Sequence, residues 1–265
     1  MTLTKRNQLS MANANSTPPE KARRRAPSQS PRGPARFAKS GAQTTADGIY
    51  EKLHAAIASM ELRPGTPMSE TRLTEEFGVS RTPVREALQR LAKEKLVEIV
   101  PKSGTFVGRI PLSTLFEATF ARSALECAIV RHVAERATPD HVETLRAALD
   151  VQRDVASSGD YEKIHVADEA FHAALANVAN FEGIWEMVRT MKVQVDRYRK
   201  LTLQQSGRVT LLIKEHTEVV DAIEARDPER AVAAMAEHLG RLKLDIEVFG
   251  ATWKDYFIHD REIGG

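Results

Sequence analysis

Ser80-Arg81-Thr82-Pro83-Val84-Arg85-Glu86-Ala87-Leu88 is the stretch on which the reading of this chain turns. It opens as a helix: Ser80 or Thr82 can serve as N-cap, and Pro83 is tolerated in a first turn whose N–H groups lack partners anyway. Val84, Leu88 and Leu91 repeat at i, i+4 and i+7 and turn one stripe toward a core. Arg81 and Arg85 lie off that stripe near the N-terminal end, where a recognition helix presents side chains to base edges and phosphates.

The flanks fit that reading. Upstream, Ser69 caps a short helix running to Phe77, with Leu73 and Phe77 on its buried face. Gly78 then supplies the tight turn and Val79 packs beneath it, a helix-turn-helix arrangement. Ile49, Leu53 and Ile57, four residues apart, mark an earlier amphipathic helix closed off by Pro64-Gly65. Downstream, Leu96 to Val100 is β-branched and apolar, Pro101 to Gly104 is a turn, and Thr105-Phe106-Val107 returns. This is a two-stranded wing, with Lys102 near its tip where a phosphate backbone would pass.

Residues 46–108 resemble the DNA-binding domain of the GntR family of bacterial transcription regulators. Leu62-Arg63-Pro64-Gly65, Leu73-Thr74-Glu75-Glu76-Phe77-Gly78-Val79 and the Ser80–Leu88 run match it in order and spacing. The resemblance implies contacts to a double-stranded operator from Arg72, Ser80, Arg81, Thr82, Arg85, Lys102 and Gly104. One departure stands out, because the family usually has Gly where this chain has Lys95. If the left-handed conformation is kept there, Lys costs roughly 1 kcal/mol relative to Gly.

The chain of 265 residues has room for two modest domains. Its one cysteine, Cys127, excludes a disulfide framework and points to a reducing compartment. With no apolar run of about 18 residues and no N-terminal apolar h-region, neither a membrane span nor a signal peptide is expected. The net charge of +2 is unevenly spread: +8 over residues 1–43, +1 over 44–110 and −7 over 111–265. Residues 1–43 are rich in Pro, Ser, Ala and Arg and poor in bulky apolar groups, which predicts a disordered basic tail. Arg23-Arg24-Arg25 can add non-specific phosphate contacts; the alternative is an inert extension.

From Ser113 onward, helical periodicity dominates. Six helices are expected, over roughly 113–136, 139–157, 160–178, 181–204, 207–226 and 228–249, with 251–265 a C-terminal tail. Thr138-Pro139 and Asp227-Pro228 each place an N-cap before a Pro at N1, and Ser158-Gly159 and Gly207 punctuate the other breaks. The predicted fold is therefore mainly α: a winged helix-turn-helix domain over 44–110 and an all-α bundle over 111–250.

Four polar residues fall where that bundle's core should be apolar. His216 is flanked on its helical face by Leu212, Ile213, Val219, Val220 and Ile223, and His238 by Ala231, Ala234, Met235 and Leu242. Asp168 and His172 are one turn apart, on a face shared with Tyr161, Ile164 and Leu175. A lone His on such a stripe is ordinarily a hydrogen-bonded core residue. Three with an Asp supply N and O ligands suited to one divalent metal ion per chain, zinc first, with nickel or manganese as alternatives. His216 and His238 lie at matching distances from Asp227, so an antiparallel hairpin brings them to one height, about 15 Å from its turn. His165 shares the Asp168 face, as a rival ligand or a supporting group. Arg122 emerges from the middle of the Leu115, Ala118, Leu125, Ile129 stripe and needs an anionic partner. Glu126, one turn on, is one candidate; a small carboxylate bound beside the metal is the other.

The C-terminal 150 or so residues resemble the ligand-sensing FCD domain of the FadR subfamily of GntR regulators, and six helices are similar to its VanR-like branch. Arg122 in Arg-Ser-Ala-Leu-Glu, Asp168 and His172 in Asp-Glu-Ala-Phe-His, Asn180, His216 and His238 carry the resemblance. It implies a metal held by Asp168, His172, His216 and His238, and a small carboxylate effector bound close by at Arg122 and Asn180. The expectation is a cytoplasmic, nucleoid-associated bacterial repressor, a homodimer on a pseudo-palindromic operator. A metal-dependent hydrolase is the rival from another class, and it lacks a base: Glu169 and Glu215 neighbour ligands in sequence but point about 100° away. A metal sensor is a third reading, against which Arg122 argues for an organic anion.

Overall fold

The computed structural model describes residues 46–249 and 254–260. The expected basic tail, with Arg23-Arg24-Arg25, lies outside the described residues.

Helices α1 (Ala46–Ala58), α2 (Glu70–Phe77) and α3 (Arg81–Lys93) bury Ile49, Leu53, Ile57, Leu73, Val84, Leu88 and Leu91. Ser69 caps α2, its hydroxyl accepting from the Arg72 N–H at 3.4 Å. Gly78 ends the helix at φ 69°. Ser80 holds the N-cap position of α3 in extended geometry without a capping hydrogen bond, and Thr82 lies inside the first turn. Phe77 is half-buried, with the Lys52 ammonium 5.8 Å over its ring.

Strands β1 (Val97–Val100) and β2 (Gly104–Val107) form the wing, Val97 opposite Val107 and Val100 opposite Gly104. The segment between α1 and α2 joins the free edge of β2: Gly65 N donates to Val107 O (2.8 Å) and Met68 N to Thr105 O (2.7 Å). Lys95 is at φ 59°, so the left-handed turn is kept with a lysine in it. Gly108 leaves the wing against that turn. Its N–H donates to Leu96 O at 2.8 Å, and a Cβ at this position would stand 2.7 Å from Lys95 O.

A short strand, β3 (Ile110–Pro111), leads into α4 (Leu112–Arg136), α5 (Pro139–Ala156) and α6 (Tyr161–Val178). Then follow α7 (Glu182–Met191), α8 (Val193–Thr202), α9 (Arg208–Glu224) and α10 (Pro228–Phe249). The breaks are where the sequence puts them. Thr138 accepts from His141 N ahead of Pro139, Asp227 accepts from Arg230 N, and Gly159 and Gly207 have positive φ. Ile129, Val130, Val133, Leu145, Leu149, Phe171, Leu175, Val219, Val220, Ile223 and Met235 form the bundle core.

Two expectations change. The helix predicted over 181–204 is two, α7 and α8, because Lys192 leaves helical geometry (φ −97°, ψ 5°). Lys192 is buried, and its ammonium lies 2.5 Å from Glu169 and 2.7 Å from Asp196. Seven helical segments thus stand among the described residues of the bundle where six were expected. The 251–265 tail is corrected in part as well. Lys254–Tyr256 forms a 3-10 turn, and β4 (Phe257–Ile258) pairs in parallel with β3, since Phe257 is buried among Ile110, Leu115 and Tyr198.

Gly108→Ala should destabilise the winged domain by about 1–3 kcal/mol, because the new methyl group meets backbone rather than a side chain that can rotate away. Thermal denaturation checks this, and an unchanged melting temperature would contradict the close approach.

Candidate metal centre and DNA-reading helix

Asp168 and His172 project from one face of α6, His216 from α9 and His238 from α10, all fully buried. One ligand atom from each lies within 4.8 Å of the others. His216 Nε2 is 3.3 Å from His238 Nε2 and 3.7 Å from Asp168 Oδ1, and His172 Nε2 is 3.9 Å from the same oxygen. Phe171 stacks on the His216 ring (centroids 4.1 Å apart, 14° between planes), and Trp185 lies parallel to His172. These rings wall the cluster off from water.

What turns the three Nε2 atoms inward is a set of acceptors behind them. Gln152 donates its amide N–H to Ala167 O (3.2 Å), which leaves its Oε1 to accept from His216 Nδ1 (3.0 Å). Glu215 Oε2 lies 2.9 Å from His238 Nδ1, and Glu126 Oε2 lies 2.6 Å from His172 Nδ1. An oxygen acceptor at Nδ1 keeps the proton on that nitrogen and leaves the Nε2 lone pair free, the arrangement a metal-ligating histidine takes. Two lone pairs then face each other across 3.3 Å at His216 and His238, and the buried Asp168 Oδ1 and His172 Nε2 have no hydrogen-bond partner. This donor set fits a divalent cation.

Charge in the cluster is compensated by Arg199 of α8. Its guanidinium bonds Asp168 Oδ2 and lies 3.2 Å from His238 Nε2. Burial pushes the Asp168 carboxyl up, but the Arg199 guanidinium outweighs it and holds it well below the carboxylate range. His216 and His238 are held well below the ordinary histidine range, first by burial and then by neighbouring positive charge. Both are therefore neutral, as ligation requires. His165 is also lowered, by burial, and lies with Asp168 and Glu169 rather than with the three histidines. Glu169 is engaged by Lys192, and Glu215 by His238 and Arg241. Glu215 points away from its neighbour His216 but reaches His238 on the adjoining helix, so both acids that sequence adjacency offered as a base are occupied.

Arg122 is paired with Glu126 and also faces a cavity. Its Nε donates to Glu126 Oε1 at 2.7 Å, inside the bundle, while Nη2 is buried without a hydrogen-bond partner. It lines a cavity with Thr119, Arg199, Thr202, Arg208 and His238. Asn180, the other residue expected at the effector, does not line this cavity. It is exposed at φ 57° and closes α6, its N–H donating to Asn177 O while Phe181 N donates to Ala176 O. Asn is tolerated in that left-handed position, which accounts for its place in the motif.

On the reader, Ser80, Arg81, Thr82 and Arg85 are exposed at the start of α3, and Arg72 is half-buried on α2. Lys102 (φ 64°) and Gly104 (φ 123°) form the exposed tip of the wing. Glu70, missed in the sequence, accepts from Arg85 Nε at 2.8 Å. That bond holds the guanidinium of Arg85 at the exposed start of α3.

A winged reader joined to an all-α bundle with a buried Asp/His cluster defines a ligand-sensing, DNA-binding transcription regulator. Residues 45–107 match the bacterial regulatory proteins of the gntR family and residues 117–241 match the FCD domain. The chain is 30% identical to the HTH-type transcriptional repressor RspR of Escherichia coli K12, over 79% of this chain and 92% of RspR. It is 34% identical to an HTH-type regulator from an unstable DNA locus of Streptomyces ambofaciens, over 84% of this chain and 94% of the relative. A solved GntR regulator from Rhodococcus sp. RHA1 superposes with a TM-score of 0.58 at 25% identity, over 77% of this chain and 97% of its own. Escherichia coli McbR/YncC shares the fold, with a TM-score of 0.60 at 22% identity, over 80% of this chain and 100% of its own. The chain belongs to the GntR family of transcription regulators and carries an FCD ligand-binding domain; its relatives are regulators, not enzymes.

The lowered histidines set a pH window. Folded, both stay neutral; unfolded, they take up protons below about pH 6.5. Their contribution is therefore fully present above that value and falls as the pH drops, by up to about 1.4 kcal/mol per pH unit for each group. Metal-stripped protein should melt at markedly lower temperature at about pH 5.5 than at about pH 7.5, and His216→Gln should flatten the slope. A slope unchanged by that substitution would contradict the assignment.

Proposed function

We propose that this regulator binds a pseudo-palindromic operator as a homodimer and responds to a small carboxylate effector held beside one divalent metal ion. The observation that carries the reading is the convergence of three Nε2 atoms and Asp168, each imidazole backed by an oxygen acceptor, next to the unpaired Nη2 of Arg122. Asp168, His172, His216 and His238 would hold the ion. Three nitrogens and one oxygen suit zinc first, with nickel or manganese as alternatives. When bound, the ion supplies a second positive anchor for a carboxylate oxygen.

The chain's own groups do the rest. Arg122 orients the carboxylate through its free Nη2, while Thr119 and Thr202 line the cavity wall with their hydroxyls donated to Leu115 O and Arg199 O. Phe171 and Trp185 exclude water behind the histidines. The reader domain is small, and a two-fold dimer doubles its contacts and sets the half-site spacing. Among the described residues no helix is long and apolar enough to cross a membrane. A DNA target and a single free thiol fit the bacterial cytoplasm, at the nucleoid. Repression is how the Escherichia coli relative is named, and we extend that mode to this chain.

Arg85→Ala should weaken binding to an operator selected with the wild-type protein by about 1–3 kcal/mol per half-site, with folding intact. Lys102→Ala should weaken specific and random DNA alike. Gel-shift titration reads both, and unchanged affinity of the Arg85 variant would remove α3 from the groove.

Elemental analysis should find one divalent ion per chain, lost in His216→Ala/His238→Ala. Arg122→Lys keeps a cation beside Glu126 but loses the guanidinium fork, so fold and metal content should survive. Titration with a panel of small mono- and dicarboxylic acids should then show affinity reduced about tenfold or more. Full metal occupancy in the double variant, or unchanged acid binding by Arg122→Lys, would overturn the site.

A further inference from the structure

A separate set of contacts ties the two domains together away from the metal centre. Strand β3, between wing and bundle, pairs with β4 from the C-terminal end, Ile110 opposite Phe257 and Pro111 opposite Ile258. Phe257 is buried, its ring 6.0 Å from that of Tyr198 on α8. Three residues further, Asp260 supplies what the local sequence cannot. The N-cap of α4 is Pro111, which has no side-chain acceptor. Asp260 Oδ1 instead accepts from Ser113 N (3.2 Å) and Oδ2 from the Ser113 hydroxyl (2.6 Å). An anion is favoured at that helix end.

The same carboxylate lies 3.6 Å from Lys95 Nζ, which also donates to Thr114 Oγ1 at 3.2 Å. Lys95 stands in left-handed geometry, where glycine is the unstrained choice, so its backbone is held at a cost that its side chain offsets by bridging the turn after α3 to the start of α4. From the other side, α8 donates to the same turn: Gln194 Nε2 to Glu94 O and Lys95 O (both 3.4 Å), and Arg197 Nη2 to Gly108 O (2.7 Å). Residues 110–114 and 254–260 fall outside both matched family regions, so the contact is additional to either domain.

We propose that residues 254–260 are a clasp that fixes the reader to the sensor, with Asp260 closing onto Ser113 and Lys95. Without it, the junction rests on α8 and the Lys95–Thr114 bond, and the two domains unfold independently. The inference stands on these contacts and is independent of the metal reading.

Amide exchange and scanning calorimetry on the full chain test it. The wild type should unfold in one transition and protect the amides of residues 110–114. In Asp260→Asn and in Phe257→Ser, those amides should exchange about tenfold faster or more, and the calorimetric trace should split into two transitions. Lys95→Gly separates clasp from local packing. It relaxes the backbone at residue 95, so a purely local role predicts equal or slower exchange at 110–114, whereas loss of the clasp predicts faster exchange. Protection at 110–114 within twofold of wild type in Asp260→Asn, or unchanged or slower exchange in Lys95→Gly, would overturn the proposal.

Discussion

The rest of the sensor depends on keeping one carboxylate and three imidazoles inside an apolar bundle. A buried charge is tolerated only when it is paired and hydrogen-bonded. Here Asp168 is answered by Arg199, His216 and His238 are kept neutral with their Nδ1 atoms on Gln152 and Glu215, and Glu126 lies beside His172 Nδ1. Each of those partners is fixed in turn: Gln152 by Ala167 O, Glu215 by Arg241, Glu126 by Arg122. Helices α4, α5, α6, α8, α9 and α10 all contribute, so the polar cluster sets how the bundle is assembled as much as Phe171 and Val219 do.

Helix α8 belongs to both halves of the molecule. Arg199 points into the Asp/His cluster, while Arg197 and Gln194 donate to carbonyls beside the wing. Arg197 is fully buried, and burial alone pushes its guanidinium down to about 10. A charged side chain so placed is a costly way to fill space and a specific way to fix orientation, because its donors need carbonyls in defined positions. The interruption at Lys192 has a comparable origin: a buried ammonium held between Glu169 and Asp196 keeps α7 from continuing into α8.

Much of the reader was legible from the chain because its elements follow short-range rules. Ser69, Gly78 and the Val84-Leu88-Leu91 stripe specify their helices within a few residues. The groups around the histidines were less legible. Gln152, Glu215 and Arg199 are distant in sequence from the rings they contact, and α8, with Gln194, Val195, Arg197, Tyr198, Arg199 and Leu201 all buried, has no polar face from which a buried Arg could be told apart. Asn180 is the opposite case: its left-handed backbone at the end of α6 accounts for the asparagine locally.

The sequence by itself determined the winged helix-turn-helix, the all-α bundle that follows it and the four residues of the buried Asp/His cluster. All of these rest on periodicity, caps and polar residues interrupting an apolar stripe. Only the tertiary structure decided which nitrogen each histidine presents, that Arg122 answers Glu126 while facing a cavity, that one helix breaks at Lys192, and that Asp260 returns to cap α4. These depend on contacts across many residues of chain, where what matters is the distance between side chains on different helices, and no local pattern encodes that distance.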